Sequence, residues 1–171
     1  MKGINRNEAI VAFLLIIVLL VVTYLILNMG NKDNNQNQIF NNSKLTSREI
    51  QALQIVLDRE YRTKETYWKT IDTFGKIEPF ETLIQSQDDY PEVLKSLFTR
   101  YSLQIPTDSW YKKIAKFDST DEACNKTRNL ERENINTYDE LMPLVSKQDI
   151  LDTFQYLQIA HQSALEKLRD C

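Results

Sequence analysis

Glycine and proline are scarce in this chain, three and four among 171 residues. Turns draw heavily on both, so the shortage excludes a multi-stranded sheet and argues for long helices with few connections. Histidine occurs once and cysteine twice. The two Glu-x-x-His pairs usual in a full di-metal bundle are therefore missing. No Ser-His-Asp order, Cys–His pair or glycine-rich phosphate loop is present either, which leaves hydrolase and nucleotide chemistry without residues to perform it. The chain also lacks a basic stripe. Its formal charge is −3, and setting aside Lys2, Arg6 and Glu8 makes the remainder one unit more negative. Nucleic acid is thus not expected as a partner. Lys112, Lys113 and Lys116 read as a solvated loop face.

What is present divides in two, and the mean hydropathy of −0.43 averages over the division. Ala9–Leu27 carries no charge; as a helix rising about 1.5 Å per residue it crosses about 30 Å of hydrocarbon. A transmembrane helix is expected over 9–29, with Tyr24 near one interface. The run exceeds the apolar core of a cleaved signal, roughly 7–15 residues, and no small-x-small site follows it. Lys2 and Arg6 precede the run, whereas Lys32 and Asp33 offset each other after it. The positive-inside rule then places residues 1–8 in the cytoplasm and the C-terminal domain outside a cell membrane crossed once. Residues 30–44 are rich in asparagine and read as a flexible linker with a reach of roughly 20 Å.

The remainder, 45–171, reads as four amphipathic helices. Thr46 with Glu49 makes a capping box, flanked by the staple pair Leu45 and Ile50. The stripe 50, 53, 57, 60, 64, 67, 71, 74 follows, and Gly75 stops it. The second helix spans roughly Pro79 to Tyr101, with Pro91 inside it. Residues 102–119 are too long for a hairpin turn and should cross the bundle, with one helical turn of their own as an option. Ser119 with Glu122 makes a second capping box ahead of a helix that runs to Pro143. Ser146 with Asp149 opens the fourth, whose stripe is 150, 154, 157, 161, 164, 168. A period near 3.5 throughout is the pattern of a left-handed bundle, with neighbouring helices alternating in direction. Short link, long crossing, short link is the connectivity of ferritin-like bundles.

Each stripe is interrupted near its middle by a polar residue: Glu60, Gln87, Glu131 and His161. If midpoints meet midpoints, the four converge on one layer, which Tyr90 can join. A carboxylate on a buried stripe is costly unless it is paired, protonated or bound to a cation. Two arrangements satisfy such a layer. In one, Glu60, Glu131, His161, Tyr90 and Gln87 hold iron or manganese. In the other, hydrogen bonds among the same groups satisfy the layer without any cofactor.

The region from about Leu45 to Cys171 resembles the prokaryotic ferritin-like family labelled domain of unknown function 2202. The resemblance lies in Glu60-x6-Tyr67, in Phe80-x2-Leu-Ile-x-Ser-Gln leading to Leu97-x3-Tyr101-x-Leu, in Leu130-Glu131-x-Glu133-Asn-Ile-x2-Tyr138-Asp, and in Asp149-Ile followed by Phe154-x2-Leu157. It implies an all-α fold: a ferritin-like antiparallel four-helix bundle with a long crossover between helices 2 and 3, preceded here by one transmembrane helix. Members typically carry Glu-x-x-His on the second helix and a histidine late on the fourth, positions that hold Gln87, Tyr90 and Ala164 in this chain. The implied metal centre is degenerate, and no catalytic residue is assigned.

Cys124 begins the third helix and Cys171 ends the fourth. A tight turn between these helices brings those ends together, and the thiols either form a disulfide or stay free. Three functions remain open. One is a membrane-anchored binding or scaffold module with a degenerate metal centre and an unknown protein partner. Another is a redox or metal-handling protein using the reduced carboxylate/histidine site. The last is an assembly protein that docks a partner on Trp110 and Tyr111.

Overall fold

A computed structural model describes residues 44–171. The expected cytoplasmic residues 1–8, membrane span 9–29 and nearly all of the linker 30–44 lie outside the described residues. Residues Leu45–Cys171 form one compact unit. Among the described residues there are four α-helices and no strand: α1 Ser47–Phe74, α2 Phe80–Arg100, α3 Thr120–Leu141 and α4 Gln148–Lys167, with a 3-10 turn at Met142–Leu144. No helix among them is long and apolar enough to cross a membrane.

The start of α1 follows its local sequence. The Thr46 hydroxyl accepts from the Glu49 amide, and the Glu49 carboxylate accepts from the Thr46 amide. Leu45 and Ile50 pack in the same apolar cluster beside it. Gly75 ends the helix at φ 79 and ψ −171, a backbone region open in practice only to glycine. The two later caps depart from expectation. Ser119 does cap Glu122, but the Glu122 carboxylate reaches back to the Asp118 amide, so the box does not close. Ser146 does not cap α4: its amide and hydroxyl both donate to Glu49, at 2.9 and 2.7 Å. A carboxylate with several fixed donors outcompetes a neutral hydroxyl for the junction. Asp149 turns instead to Tyr101 and Arg100 at the end of α2.

The contacts fix the helix directions. Residues 59, 60 and 67 of α1 meet residues 134, 138 and 131 of α3, which makes that pair antiparallel. Residues 128 and 139 of α3 meet residues 168 and 158, so α3 and α4 are antiparallel as well. Tyr90 meets His161 and Tyr101 meets Asp149, which sets α2 against α4 in the same sense. It follows that α2 and α3 run in the same direction, and the expected strict alternation fails at this one step. The cause is the segment 101–119, which returns along α1. Pro106 accepts from the Tyr61 hydroxyl, Asp108 pairs with Lys64, Trp110 donates to Asp58 and the Lys112 amide reaches Glu65. The segment forms turns and no helix. It leaves α2 through a Schellman-type cap in which Leu103 N–H bonds Phe98 C=O at 2.8 Å, with Ser102 in the left-handed region at φ 54. Glycine would signal such a cap in the sequence; serine does not.

Every position of the α4 stripe, from Ile150 through Leu157 and His161 to Leu168, is buried. The core it enters consists of two apolar clusters. One gathers Leu53, Leu57, Leu94, Phe98, Ile150 and Phe154. The other gathers Tyr67, Phe80, Leu83, Phe117, Ala123 and Leu168. Each fully buried Leu or Phe contributes about 1.5–3 kcal/mol.

Cys124 and Cys171 form a disulfide, their Cα atoms 5.7 Å apart. After Lys167 the chain tightens into turns, and Arg128 donates to the carbonyls of Leu168 and Cys171. That tightening absorbs the length mismatch between α3 and α4. The bridge joins residues 47 positions apart, and closing such a loop in the unfolded chain is worth about 4 kcal/mol on the chain-entropy model. The Cys124→Ser/Cys171→Ser protein should lose stability of that order in urea unfolding. An unchanged midpoint would show that the bridge does not stabilise the fold.

Candidate functional site

Glu60, Glu131 and His161, expected on one layer, are brought into direct contact. His161 Nδ1 lies 2.6 Å from Glu131 Oε2, and Nε2 lies 2.8 Å from Glu60 Oε1. All three side chains are buried, none more than 1% exposed. Two tyrosine hydroxyls complete the chain: Tyr138 donates to Glu60 Oε1 at 2.6 Å, and Tyr67 donates to Glu131 Oε1 at 2.7 Å. The result is one line of hydrogen bonds, Tyr138–Glu60–His161–Glu131–Tyr67, linking α1, α3 and α4. Tyr67 lies on the expected α1 stripe and Tyr138 on the face of α3 that carries Glu131, but sequence reasoning gave neither a polar role.

A local rule produces the line. On α1 a glutamate at 60 is followed seven residues later by Tyr67; on α3 Glu131 is followed seven residues later by Tyr138. Seven residues are two turns, so each pair lies on one face. Because the helices are antiparallel, the tyrosine of each meets the glutamate of the other. This repeated Glu-x6-Tyr spacing was the signal available in the sequence.

The charges follow from the donors. Each imidazole nitrogen faces a carboxylate oxygen, and so does each hydroxyl. An imidazolium donates from both nitrogens, which suits a ring set between two carboxylates. Burial alone would discharge the ring, but the two carboxylates outweigh it and hold the His161 pKa up to about 10. Burial and the carboxylates together push the Tyr67 and Tyr138 hydroxyls well above the usual phenol range. The cluster carries one net negative charge. Arg59, next to Glu60 on α1, donates to Asn134, which in turn donates to Thr63. Asn134, Thr63 and Thr127 are buried polar residues on the neighbouring stripe that sequence reasoning missed.

Gln87 and Tyr90 come from α2. Tyr90 sets its ring edge to His161 at 5.6 Å between centroids, and burial pushes its hydroxyl up to about 12. Gln87 is fully buried, and its amide nitrogen and oxygen have no hydrogen-bond partner, nor does Glu60 Oε2. These five residues do not fit a paired-metal centre. Two dications need several carboxylates for charge balance, only two are at hand, and both imidazole nitrogens are already engaged by them. Among the described residues no group of three or more His, Cys, Asp or Glu side chains is arranged to hold a metal ion.

The aromatic pair on the crossing segment is divided. Trp110 is tied down, its indole donating to Asp58 at 3.0 Å with Arg62 over its ring. Tyr111 is 59% exposed. With Trp68 and Lys64, Lys69 and Lys112 it borders a groove of about 570 Å³. Lys112, Lys113 and Lys116 are all exposed, as expected.

Comparison with protein-family models, with curated proteins and with solved structures finds no match.

Folding raises the proton affinity of His161, so its stabilising contribution is complete below about pH 6.5 and is lost as pH climbs through about 10. His161 is the sole histidine, so nitrogen NMR reads it without ambiguity. At about pH 8, above the free-histidine pKa, both ring nitrogens should still be protonated; a neutral tautomer there would contradict the charge assignment. Breaking the pair from one side leaves an uncompensated buried charge. Glu131→Gln should therefore cost about 3–5 kcal/mol in urea unfolding, and a loss under about 1 kcal/mol, the level of an exposed pair, would mean the bridge is solvated.

Proposed function

We propose that this chain is a single-pass, membrane-anchored protein whose extracytoplasmic domain is a ferritin-like bundle with a degenerate metal centre, serving as a binding or scaffold module for a protein partner. The anchor reading stands on Ala9–Leu27 and on the charges of Lys2 and Arg6 ahead of it. The ferritin-like reading is supported by the long return of 101–119 between two antiparallel hairpins. One observation carries the loss of the metal centre: both nitrogens of the only histidine are engaged by Glu60 and Glu131. With the histidine held between two carboxylates of its own core, the domain has its surface left to work with. The groove between Trp68 and Tyr111 is the surface that suits a partner, with half-exposed aromatic rings and the stems of three lysines.

A reduced iron or manganese site is the competing reading. It is favoured by Glu60 Oε2 and the Gln87 amide, which are buried and without partners. Metal analysis of the full-length protein in detergent separates the two. The scaffold reading expects no stoichiometric iron or manganese, whereas metal present in the wild type and lost in Glu131→Ala would favour the site. Co-purification from solubilised membranes tests the surface. A partner held by the groove should be lost with Tyr111→Ala, and its retention would remove the groove from the proposal.

A further inference from the structure

The five-residue line at the centre of the bundle does more than fix helix register. We propose that Tyr67 and Tyr138 form a paired redox site that yields one electron to an outer-sphere one-electron oxidant while the phenolic proton stays inside the core. The proposal stands on the metal-free reading of the core given above.

The geometry supplies the proton acceptor in advance. Removing an electron from a phenol makes its O–H strongly acidic, so oxidation is easiest where a base already holds that proton. Tyr138 has Glu60 Oε1 at 2.6 Å and Tyr67 has Glu131 Oε1 at 2.7 Å. In the step, the Tyr138 O–H bond breaks, the proton forms an O–H bond on Glu60, and the electron leaves for the oxidant, which is reduced by one unit. A neutral phenoxyl radical and a neutral carboxylic acid remain. The same step at Tyr67 delivers its proton to Glu131.

Electrostatics favour this direction. Before oxidation the cluster holds two carboxylates and one imidazolium, one net negative charge in a fully buried site. Afterwards it holds one carboxylate and one imidazolium, and is neutral. Loss of the electron therefore relieves the cost of a buried net charge, where oxidation of an unassisted buried phenol would create one. His161 joins the two halves, since the acceptor of each tyrosine is bonded to one of its nitrogens.

A way out for the electron is present as well. The Tyr138 ring stacks on the His161 ring at 5.8 Å between centroids, and His161 meets the Tyr90 ring at 5.6 Å. Tyr90 in turn is 6% exposed, the outermost ring of this series. An oxidant at the surface beside Tyr90 thus reaches the Tyr138 ring through two ring contacts.

The test uses the full-length protein in detergent, its metal content measured and the sample then treated with chelator. Photogenerated ruthenium(III) tris-bipyridine serves as oxidant, with freeze-quenched electron paramagnetic resonance as the readout. The wild type should give a tyrosyl signal, and Tyr67→Phe/Tyr138→Phe should lose most of it. No signal in the wild type, or an undiminished signal in the folded double variant, would overturn the proposal. If the double variant does not fold, the single variants decide. Each should alter the ring-proton hyperfine pattern, and an unchanged pattern in both would place the radical elsewhere. Metal bound before chelation counts against the metal-free reading alone. Absence of a radical after chelation counts against this inference alone.

Discussion

The imidazolium of His161 between Glu60 and Glu131 is the interaction on which the rest of the domain depends. Two carboxylates buried side by side repel each other and lack solvation. One cation hydrogen-bonded to both, with a tyrosine hydroxyl on each, makes the arrangement tolerable. The line draws groups from α1, α3 and α4, so a slip of any of these helices by one turn strands a charge in the core. Apolar packing above and below tolerates small shifts; this layer does not. The core accordingly consists of two apolar clusters, with the polar layer between them.

The ends of the bundle are held by devices of the same kind. Glu49 lies at the start of α1 and accepts from both Thr46 and Ser146, joining the first helical turn to the link between α3 and α4. Burial works against its charge, yet those donors bring its pKa down to about 2. Its contribution is thus lost only as pH falls below about 4.5 towards 2. At the opposite end, Arg128 and the Cys124–Cys171 bridge tie the last turn of α4 to the start of α3. The crossing segment adds a lateral strap along α1 through Asp108, Trp110 and Phe117. Trp110, exposed by expectation, is drawn down because Asp58 and Arg62 meet both its indole N–H and its ring.

Much of the fold was legible in periodicity. The α4 stripe, the first capping box, the stop at Gly75 and the burial of the four mid-helix polar residues all follow the pattern. What was not legible depended on partners remote in sequence. Ser146 looked like a cap, but Glu49, nearly a hundred residues away, took its hydroxyl. Asn134 and Thr63 lie off the stripes read from periodicity, and only the fold joins them to each other and to Arg59. Ser102 gave no sign of a left-handed residue, because the Schellman bonds that fix it there form only as α2 ends. The site was half visible: its carboxylates and histidine stood out as polar breaks in apolar stripes, while Tyr67 and Tyr138 read as core aromatics, marked only by their shared offset of seven residues from a glutamate.

By itself the sequence determined the number and span of the helices, their buried faces and the residues that would have to share a polar layer. Periodicity and capping act within a few residues and are written locally. Tertiary structure alone decided how that layer is satisfied. The antiparallel register of α1 and α3 sets each tyrosine on the other helix's glutamate, and α4 slides a single imidazole between them. Those bonds depend on distances between chain segments up to 101 residues apart, which no local pattern encodes.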